Sequence, residues 1–478
     1  MTTPNRLCGR FKLLAISAAV VASTTAAAQD LAPGDYSLGL KLKLAGFAEG
    51  ARDLGQIDID GSRADPDGET TEGYVDVQPV LFWRMSENWN LFTRLQGFVP
   101  SGEIVVTDDD QPRRTESYAA IREAWVEYGG LTSYPGETLR IGRQRLREQD
   151  GSWMDRDADA IRWIFDTTLL QGHVGIATEL DTFRTGDSEL PPSQRDRGYA
   201  FGGLSGQWTA GNYIGARALY AFDYSDLDEE AASLAADAKR YDRQFVWLGA
   251  YVNNGYYSYP KSAGLYYSSQ IDFLTGRKET VIPGELPGTD QRDERDVSAF
   301  AGDIGLRLRL DAPFAVGVAY AFGQGGGNPD VEETYEQSGL HSNRSRYTGT
   351  RSRLYRFNEA LQPELSNLHV ATAYVSVPAE RFDASLVYHR FQREQEDAGI
   401  IVDGIDVQPS VNDDDIGEGY DLVLTGYFGS MSRATREDDD DLRSNVSLRG
   451  SLFRPGDAFG AGELDDQYRV ILETTLWF

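Results

Sequence analysis

The chain has 478 residues and a formal net charge of −29, with 46 basic residues against 75 acidic ones. Such an acidic chain repels nucleic acid and anionic lipid headgroups, so the composition excludes both as expected partners. Any anion that the protein binds must therefore be held by a local basic cluster, against the overall field.

The first 28 residues predict a cleaved export signal. Three basic residues precede an apolar run at 13–22, and three alanines at 26–28 provide a small-residue cleavage site before Gln29. The only cysteine, Cys8, lies within this segment, so the mature chain, 29–478, is expected to contain no disulfide. No later stretch approaches the roughly 18 apolar residues of a membrane-spanning helix, so none is predicted.

Apolar residues then alternate with polar or small residues along most of the chain. The pattern is clearest at 36–44, 300–310, 314–322 and 382–389. Segments of about ten residues match tilted strands that cross a bilayer, whereas strands of soluble sandwiches average about 5–6 residues. Short connections also alternate with long, Asp- and Gly-rich ones. The pattern predicts an all-β, antiparallel transmembrane barrel of about 18 strands, with long extracellular loops and short periplasmic turns.

The C-terminus supports the same interpretation. Alternating apolar residues run from Tyr468 to the last residue, Phe478. A terminal aromatic residue on an alternating last strand resembles the assembly signal of bacterial outer-membrane barrels. We therefore expect a monomer in outer-membrane lipid of a bacterium, with a lumen rather than a packed core.

Basic residues are expected to face that lumen. In a lipid-embedded strand the apolar side faces outward, which turns Lys41, Lys43, Arg307 and Arg309 inward. A further run at 339–357 contains five arginines and no acid, and guanidinium groups match carboxylates well. This pattern indicates a site for an anion with repeated carboxylates or phosphates. The alternative is a solvated basic loop that pairs with acidic neighbours.

The alternation fails at two places. In the segment 139–147, Leu139 and Ile141 share one side with three arginines, which indicates a bulge or the end of the membrane band. The arginines are Arg143, Arg145 and Arg147. At 122–123, the pattern leaves open whether the arginine or the glutamate faces the lumen.

Several long segments are similar to the alginate export outer-membrane porins. These are IREAWVEYGGLTSYPGETLRIGRQRLRE (121–148), SGLHSNRSRYTGTRSRLYRFNEAL (338–361), DASLVYHRF (383–391) and SLFRPGDAFG (451–460). The resemblance covers essentially the whole mature chain. It implies a barrel of roughly 18 strands that carries alginate, an anionic uronic-acid polymer, from the periplasm to the exterior, with periplasmic secretion-complex proteins as partners.

The resemblance also implies a basic lumen constriction that attracts the polymer. Its matching positions are Lys43, Arg122, Arg145, Arg344 and Arg353, and the supporting positions are Glu123, Asp155, Asp181, Arg443 and Glu473. Gln78 and Ser447 stand where the family has arginines, and Arg443 is expected to compensate for the second replacement. The loop 100–116 and the turn 429–441 match segments that plug the lumen in the family.

Two other classes of function remain open at this stage. One is a porin for small acidic solutes, and the other is an outer-membrane enzyme acting on polysaccharide or lipid. The sequence contains no G-x-S-x-G motif, no P-loop and no histidines at metal-ligand spacing, so neither catalysis nor a cofactor is expected. Four acids in the first long loop could hold calcium, although a solvated acidic loop is the favoured interpretation. They are Asp58, Asp60, Asp65 and Asp67.

Overall fold

The computed structural model describes most of the mature chain. The described residues are 31–50, 70–101, 104–105, 114–115, 117–134, 136–186, 190, 194–225, 241–260, 262–282, 291–327, 331–402, 405–429, 443–460 and 464–478. The predicted signal peptide 1–28 and the four calcium candidates Asp58, Asp60, Asp65 and Asp67 lie outside these residues, as do most of the segment 100–116 and all of the segment 429–441 except Gly429.

Eighteen long strands form the wall of the molecule. They are β1 (Tyr36–Gly50), β2 (Thr70–Arg84), β3 (Trp89–Pro100), β4 (Tyr118–Tyr128), β5 (Glu137–Arg147), β6 (Asp155–Asp166), β7 (Leu170–Thr178), β8 (Arg197–Thr209), β9 (Asn212–Asp223), β10 (Tyr241–Asn253), β11 (Gly264–Ile282), β12 (Gln291–Arg309), β13 (Ala315–Gly323), β14 (Leu368–Pro378), β15 (Phe382–Gln392), β16 (Asp415–Phe428), β17 (Ser444–Pro455) and β18 (Gln467–Trp477).

The eighteen strands close into an antiparallel barrel. Each strand pairs with the next along the chain, and β1 pairs with β18 from Lys41 opposite Trp477 to Gly50 opposite Tyr468. Closure pairs the strand edges that an open sheet would leave exposed to lipid. The predicted fold class is confirmed. Within the described part of the chain, no helix is long and apolar enough to cross a membrane.

The outside of the barrel is apolar and exposed. Leucine and isoleucine side chains on strands far apart in sequence are more than half exposed, for example Leu38 (58%), Ile271 (54%), Leu386 (58%) and Leu472 (54%). Large apolar side chains in such a continuous belt belong in lipid rather than in water. The polar residues that alternate with them therefore face the lumen, as the sequence pattern predicts.

One side of the lumen is filled by the described part of the connection between β13 and β14, residues 324–327 and 331–367, which we call the lumen loop. Its contacts reach inward-facing residues of the wall. Arg356 pairs with Asp303 of β12 at 2.9 Å, and Arg351 pairs with Asp383 of β15 at 3.1 Å. Arg351 also donates to the carbonyl of Ala379, in the short turn after β14. The lumen loop therefore extends to the periplasmic end of the barrel.

The lumen loop explains why Arg307 does not face open water. This side chain is fully buried, and its guanidinium donates to the carbonyls of Tyr256 at 2.6 Å and Tyr347 at 3.0 Å. Tyr256 lies in the turn between β10 and β11, whereas Tyr347 lies in the lumen loop. Arg307 points inward, as expected, but it joins two segments instead of lining a channel.

A β-bulge settles which of the residues at 122 and 123 faces the lumen. Glu123 lies opposite Arg94 of β3 and Ile121 lies opposite Leu95, so Arg122 is the extra residue of the bulge. Because a bulge shifts the alternation by one residue, both side chains turn inward. Glu123 is buried, and the Nε atom of Arg122 lies 2.8 Å from a carboxylate oxygen of Asp157.

The second break in the alternation lies at Gly142 in β5. Ile141 faces outward and is 42% exposed, whereas Arg145, four residues on, turns into the lumen to pair with Asp155. The pairing of β5 with β6 runs without a register shift, but Gly142 has a φ angle of +122°. This conformation suits glycine almost alone, and it interrupts the regular pleat where the exposed face changes.

We expect Gly142→Ala to destabilise the barrel. A Cβ atom at this position would lie 2.3 Å from the carbonyl oxygen of Ala124, in addition to the strained φ angle. The backbone strain alone costs about 1–3 kcal/mol. The test is the temperature at which the folded band disappears in heat-modifiability electrophoresis. Gly450→Ala is the matched control, because nothing lies within 4 Å of its added Cβ, and equal melting of the two variants would contradict this account.

Candidate functional site: a basic cavity in the lumen

The side of the lumen that the loop leaves open contains a cavity of about 340 Å³. Its wall comes from β1–β6 and β16–β18, and the lumen loop closes it on the opposite side. Among the described residues, twelve basic side chains line it: Lys41, Lys43, Arg94, Arg122, Arg145, Arg147, Arg344, Arg346, Arg351, Arg353, Arg449 and Arg469. Four acidic side chains from the same part of the chain line it as well: Asp76, Asp155, Glu359 and Glu473. The cavity is thus strongly basic in a chain with a net charge of −29.

The structure brings together all five predicted constriction residues. Lys43, Arg122 and Arg145 project from the wall, whereas Arg344 and Arg353 project from the lumen loop, and all five line the one cavity. Residues more than 200 positions apart therefore face the same space. Their role in transport stays a prediction, because the geometry shows placement and not conduction.

Asp155 is the acidic centre of this cavity. Its carboxylate lies 3.0 Å from a guanidinium nitrogen of Arg145, 2.8 Å from Arg147 and 3.1 Å from Arg353. Ser342 of the lumen loop also donates to it, at 2.7 Å. One buried carboxylate therefore joins β5, β6 and the lumen loop, and it orients three guanidinium groups at once.

Two further ion pairs fix basic side chains of the wall. Lys43 lies 3.0 Å from Glu473 of the neighbouring strand, and Arg122 lies 2.8 Å from Asp157. Asp157 also lies 3.5 Å from Arg145, so two predicted constriction arginines share it. These acids orient the basic groups and only partly neutralise them.

On the loop side, Arg344 is held by Glu359. The two groups lie 2.5 Å apart, and the second carboxylate oxygen of Glu359 lies 3.7 Å from Arg449 of β17. Burial raises the pKa of Glu359, but the Arg344 and Arg449 guanidinium groups outweigh this effect and hold the pKa below its usual value. Glu359 is therefore ionised at neutral pH.

Among the predicted supporting residues, Asp155 and Glu473 line the cavity, while Glu123 lies behind it. Glu123 accepts hydrogen bonds from the Arg94 side chain and from the Arg145 backbone N–H, so it braces two lining arginines. Asp181 does not line the cavity. Its carboxylate accepts from the backbone N–H of Phe183 at 2.8 Å.

Arg443 does not line the cavity either, and its role as a substitute beside Ser447 stays a prediction. It donates to the carbonyl of Glu380 and lies over the ring of Tyr427 at the periplasmic end. Ser447 does line the cavity, and the cation next to it on the same face of β17 is Arg449. Gln78, the other replacement, donates to Asp76 at 2.7 Å within the cavity.

Sequence reasoning missed four lining residues that matter here, namely Arg94, Arg449, Arg469 and Glu359. The alternation could have identified Arg449 and Arg469, since they share a face with Ser447 and Glu473, respectively. The same holds for Arg94, which alternates with the exposed Leu95 on β3. Glu359 carries no such signal, because its position depends on the path of the lumen loop.

A second buried network anchors the lumen loop instead of serving the cavity. His389 lies 3.1 Å from both Thr372 and Asp421, and Asp421 also accepts from Ser451 at 2.5 Å. These residue types could form a nucleophile and a base. However, all four side chains are buried, and Asn358 of the lumen loop donates to both Asp421 and Ser451 at 3.0 Å. The network therefore fixes the loop to the wall.

No metal centre accompanies the cavity in the part of the chain that the structure describes. Among those residues, no group of three or more His, Cys, Asp or Glu side chains is arranged to hold a metal ion. The calcium candidates fall outside the described residues, so that prediction is untested.

The apolar outer belt, the closed barrel and the polar lumen define an outer-membrane porin. Solved porins share this fold. The crystal structure of Pseudomonas aeruginosa OpdK with vanillate matches with a TM-score of 0.53 at 11% identity, over 93% of this chain and 99% of that one. Pseudomonas aeruginosa OccK8 (OprE) matches with a TM-score of 0.52, also at 11% identity, over 94% of this chain and 99% of that one. At this identity the likeness concerns the fold alone.

Sequence comparison then identifies the family. The alginate export family matches residues 38–471, so the chain belongs to it. The alginate production protein AlgE of Pseudomonas aeruginosa is 37% identical over 97% of this chain and 96% of its own length. The protein of the same name from Azotobacter vinelandii is 30% identical, with 92% and 93% covered. The protein is thus an outer-membrane member of the alginate export family.

We expect Asp155→Asn to increase the preference of the pore for anions. The substitution removes one negative charge that three arginines share, so their field extends further into the cavity. The measurement is the reversal potential in a planar bilayer under a salt gradient. Asp466→Asn is the matched control, because Asp466 pairs with Arg454 at the exposed outer rim. A shift equal to that of the control would show that Asp155 does not influence the ion path.

Proposed function

We propose that the protein exports alginate across the outer membrane, along the open and basic side of its lumen. The observation that carries this proposal is the convergence of wall and loop arginines on one cavity, with twelve basic side chains against four acidic ones among the described residues. The sequence match to the alginate export family supports the same substrate class.

The charge pattern of the substrate explains why a basic lumen would favour its passage. Each uronate residue carries one carboxylate, so the polymer is a polyanion with regularly spaced charges. Moving it out of bulk water costs free energy, which fixed guanidinium groups offset because they are already oriented. The positive lumen also raises the local concentration of the polymer against the repulsion of the acidic chain as a whole.

Transport also requires that the polymer can leave each site. In this cavity every acid that is shared, such as Asp155, occupies part of the hydrogen-bonding capacity of several arginines. Each guanidinium therefore offers only some of its N–H groups to a passing carboxylate. Several weak sites of this kind allow a chain to advance without tight binding at any one position.

The proposal assigns transport rather than catalysis to this lumen. The relatives matched above are named for alginate production and the family for export. The buried network of His389 and Asp421 is occupied by Asn358. We further propose that the porin acts as a monomer, since the lumen lies within one chain, and that periplasmic proteins deliver the polymer.

We expect Arg344→Glu and Arg353→Glu each to weaken the block of ion current by uronate oligomers by at least about tenfold. Each change removes a charge-assisted contact, worth about 1.5–3 kcal/mol, and adds repulsion. Current block by oligomers of defined length in planar bilayers measures this effect. Arg454→Glu, at the outer rim and 56% exposed, is the matched control.

The same experiment separates the rival functions. Stronger block by oligomers than by the monomeric uronate supports polymer export. Equal block by both, at equal carboxylate concentration, would favour a porin for small acidic solutes. Unchanged block in both arginine variants would remove these residues from the proposed path.

A further inference from the structure

Glu359 is the carboxylate that joins the lumen loop to the barrel wall inside the basic cavity. The guanidinium of Arg344, in the loop, contacts both of its oxygens, at 2.5 and 3.3 Å, and that of Arg449, on β17, lies 3.7 Å from the second oxygen. Arg469 of β18 lines the same cavity, but its guanidinium pairs with Glu49 of β1 at 3.5 Å. Two guanidinium groups, one from the loop and one from the wall, therefore face this acid.

The backbone at this position is fixed as firmly as the side chain. The N–H of Glu359 donates to Asp421 of β16 at 3.1 Å, and the N–H of Ala360 donates to Ser451 of β17 at 2.8 Å. The preceding residue, Asn358, has a φ angle of +80° and donates to both wall residues. The carboxylate thus projects from a point that cannot shift without breaking several buried hydrogen bonds.

We propose that Glu359 is a positioning residue which fixes the spacing between the loop guanidinium of Arg344 and the wall guanidinium of Arg449. This inference rests on the proposed function, because it concerns how the same cavity recognises a polymer. A monomeric anion needs only one of the two groups. A uronate oligomer can engage both at once, but only if their separation is constant.

The free energy behind this distinction is the cost of ordering side chains. An arginine that is already held by Glu359 loses little freedom when a carboxylate binds, whereas a released arginine must be ordered by the ligand. That cost is about 0.5–1.5 kcal/mol for each immobilised side chain, and an oligomer that contacts two arginines incurs it twice. Glu359 therefore favours longer ligands without adding a positive charge of its own.

The test compares the wild type with Glu359→Gln, using current block in planar bilayers by a monomeric uronate and by an oligomer of defined length. The amide keeps the size of the side chain and removes its charge. We expect block by the monomer to strengthen slightly, because the cavity becomes more positive. The ratio of oligomer block to monomer block should fall by about fivefold, and Glu359→Asp should give an intermediate ratio.

Glu336→Gln is the matched control. Glu336 also joins the lumen loop to the wall, through Arg243 at 3.1 Å and Lys278 at 2.7 Å, but none of these residues lines the cavity. Its variant should retain the wild-type ratio. Heat-modifiability electrophoresis confirms that each variant forms a folded barrel before its conductance is compared.

The outcomes separate this inference from the function on which it rests. If Glu359→Gln changes monomer and oligomer block by the same factor, Glu359 contributes only charge and the positioning role is wrong. If Glu336→Gln lowers the ratio equally, general loosening of the loop explains the effect, and the inference is likewise overturned. If the wild type shows no preference for oligomers, the proposed export function itself fails.

Discussion

A carboxylate shared among several arginines is the interaction on which this lumen depends. A buried charge without a partner is costly, and the lipid outside leaves charged residues no other place to face. Asp155 joins Arg145, Arg147 and Arg353, and Glu359 joins Arg344 and Arg449. Because each carboxylate pairs with more than one arginine, the network fixes the positions of the arginine side chains and still leaves an excess of positive charge. One arrangement therefore stabilises the fold and gives the cavity its attraction for anions.

The lumen loop makes the pore asymmetric. It is fixed to the wall by Arg356 with Asp303, by Arg351 with Asp383 and by the contacts of Asn358, so it fills one side of the barrel along most of its height. The open side keeps the basic residues of the first and last strands. The loop contributes its own arginines to that side. The polymer would therefore pass between two basic surfaces, the barrel wall and the lumen loop, and not through a wide, unobstructed lumen.

Much of this fold could be predicted from the sequence, because lipid-facing and lumen-facing residues alternate along a barrel strand and differ in polarity. The alternation identified β1, β13 and β18, and with them the inward position of Lys43. The resemblance to the family located Arg344 and Arg353. The bulge at Arg122 and the positive φ angle of Gly142 could not be predicted, since a one-residue shift depends on the neighbouring strand. The pairing of Glu359 with Arg449, 90 positions away, depends on the path of the lumen loop, which no local pattern encodes.

The central claim is that local charge in the lumen outweighs the charge of the whole chain. The most direct measurement is the reversal potential of the wild-type protein in a planar bilayer that separates two concentrations of potassium chloride. The account predicts a reversal potential of the sign that marks chloride as the more permeant ion, although the chain carries a net charge of −29. It also predicts that the potential falls as ionic strength rises, because salt screens the guanidinium groups. A pore that prefers potassium at low ionic strength would contradict it.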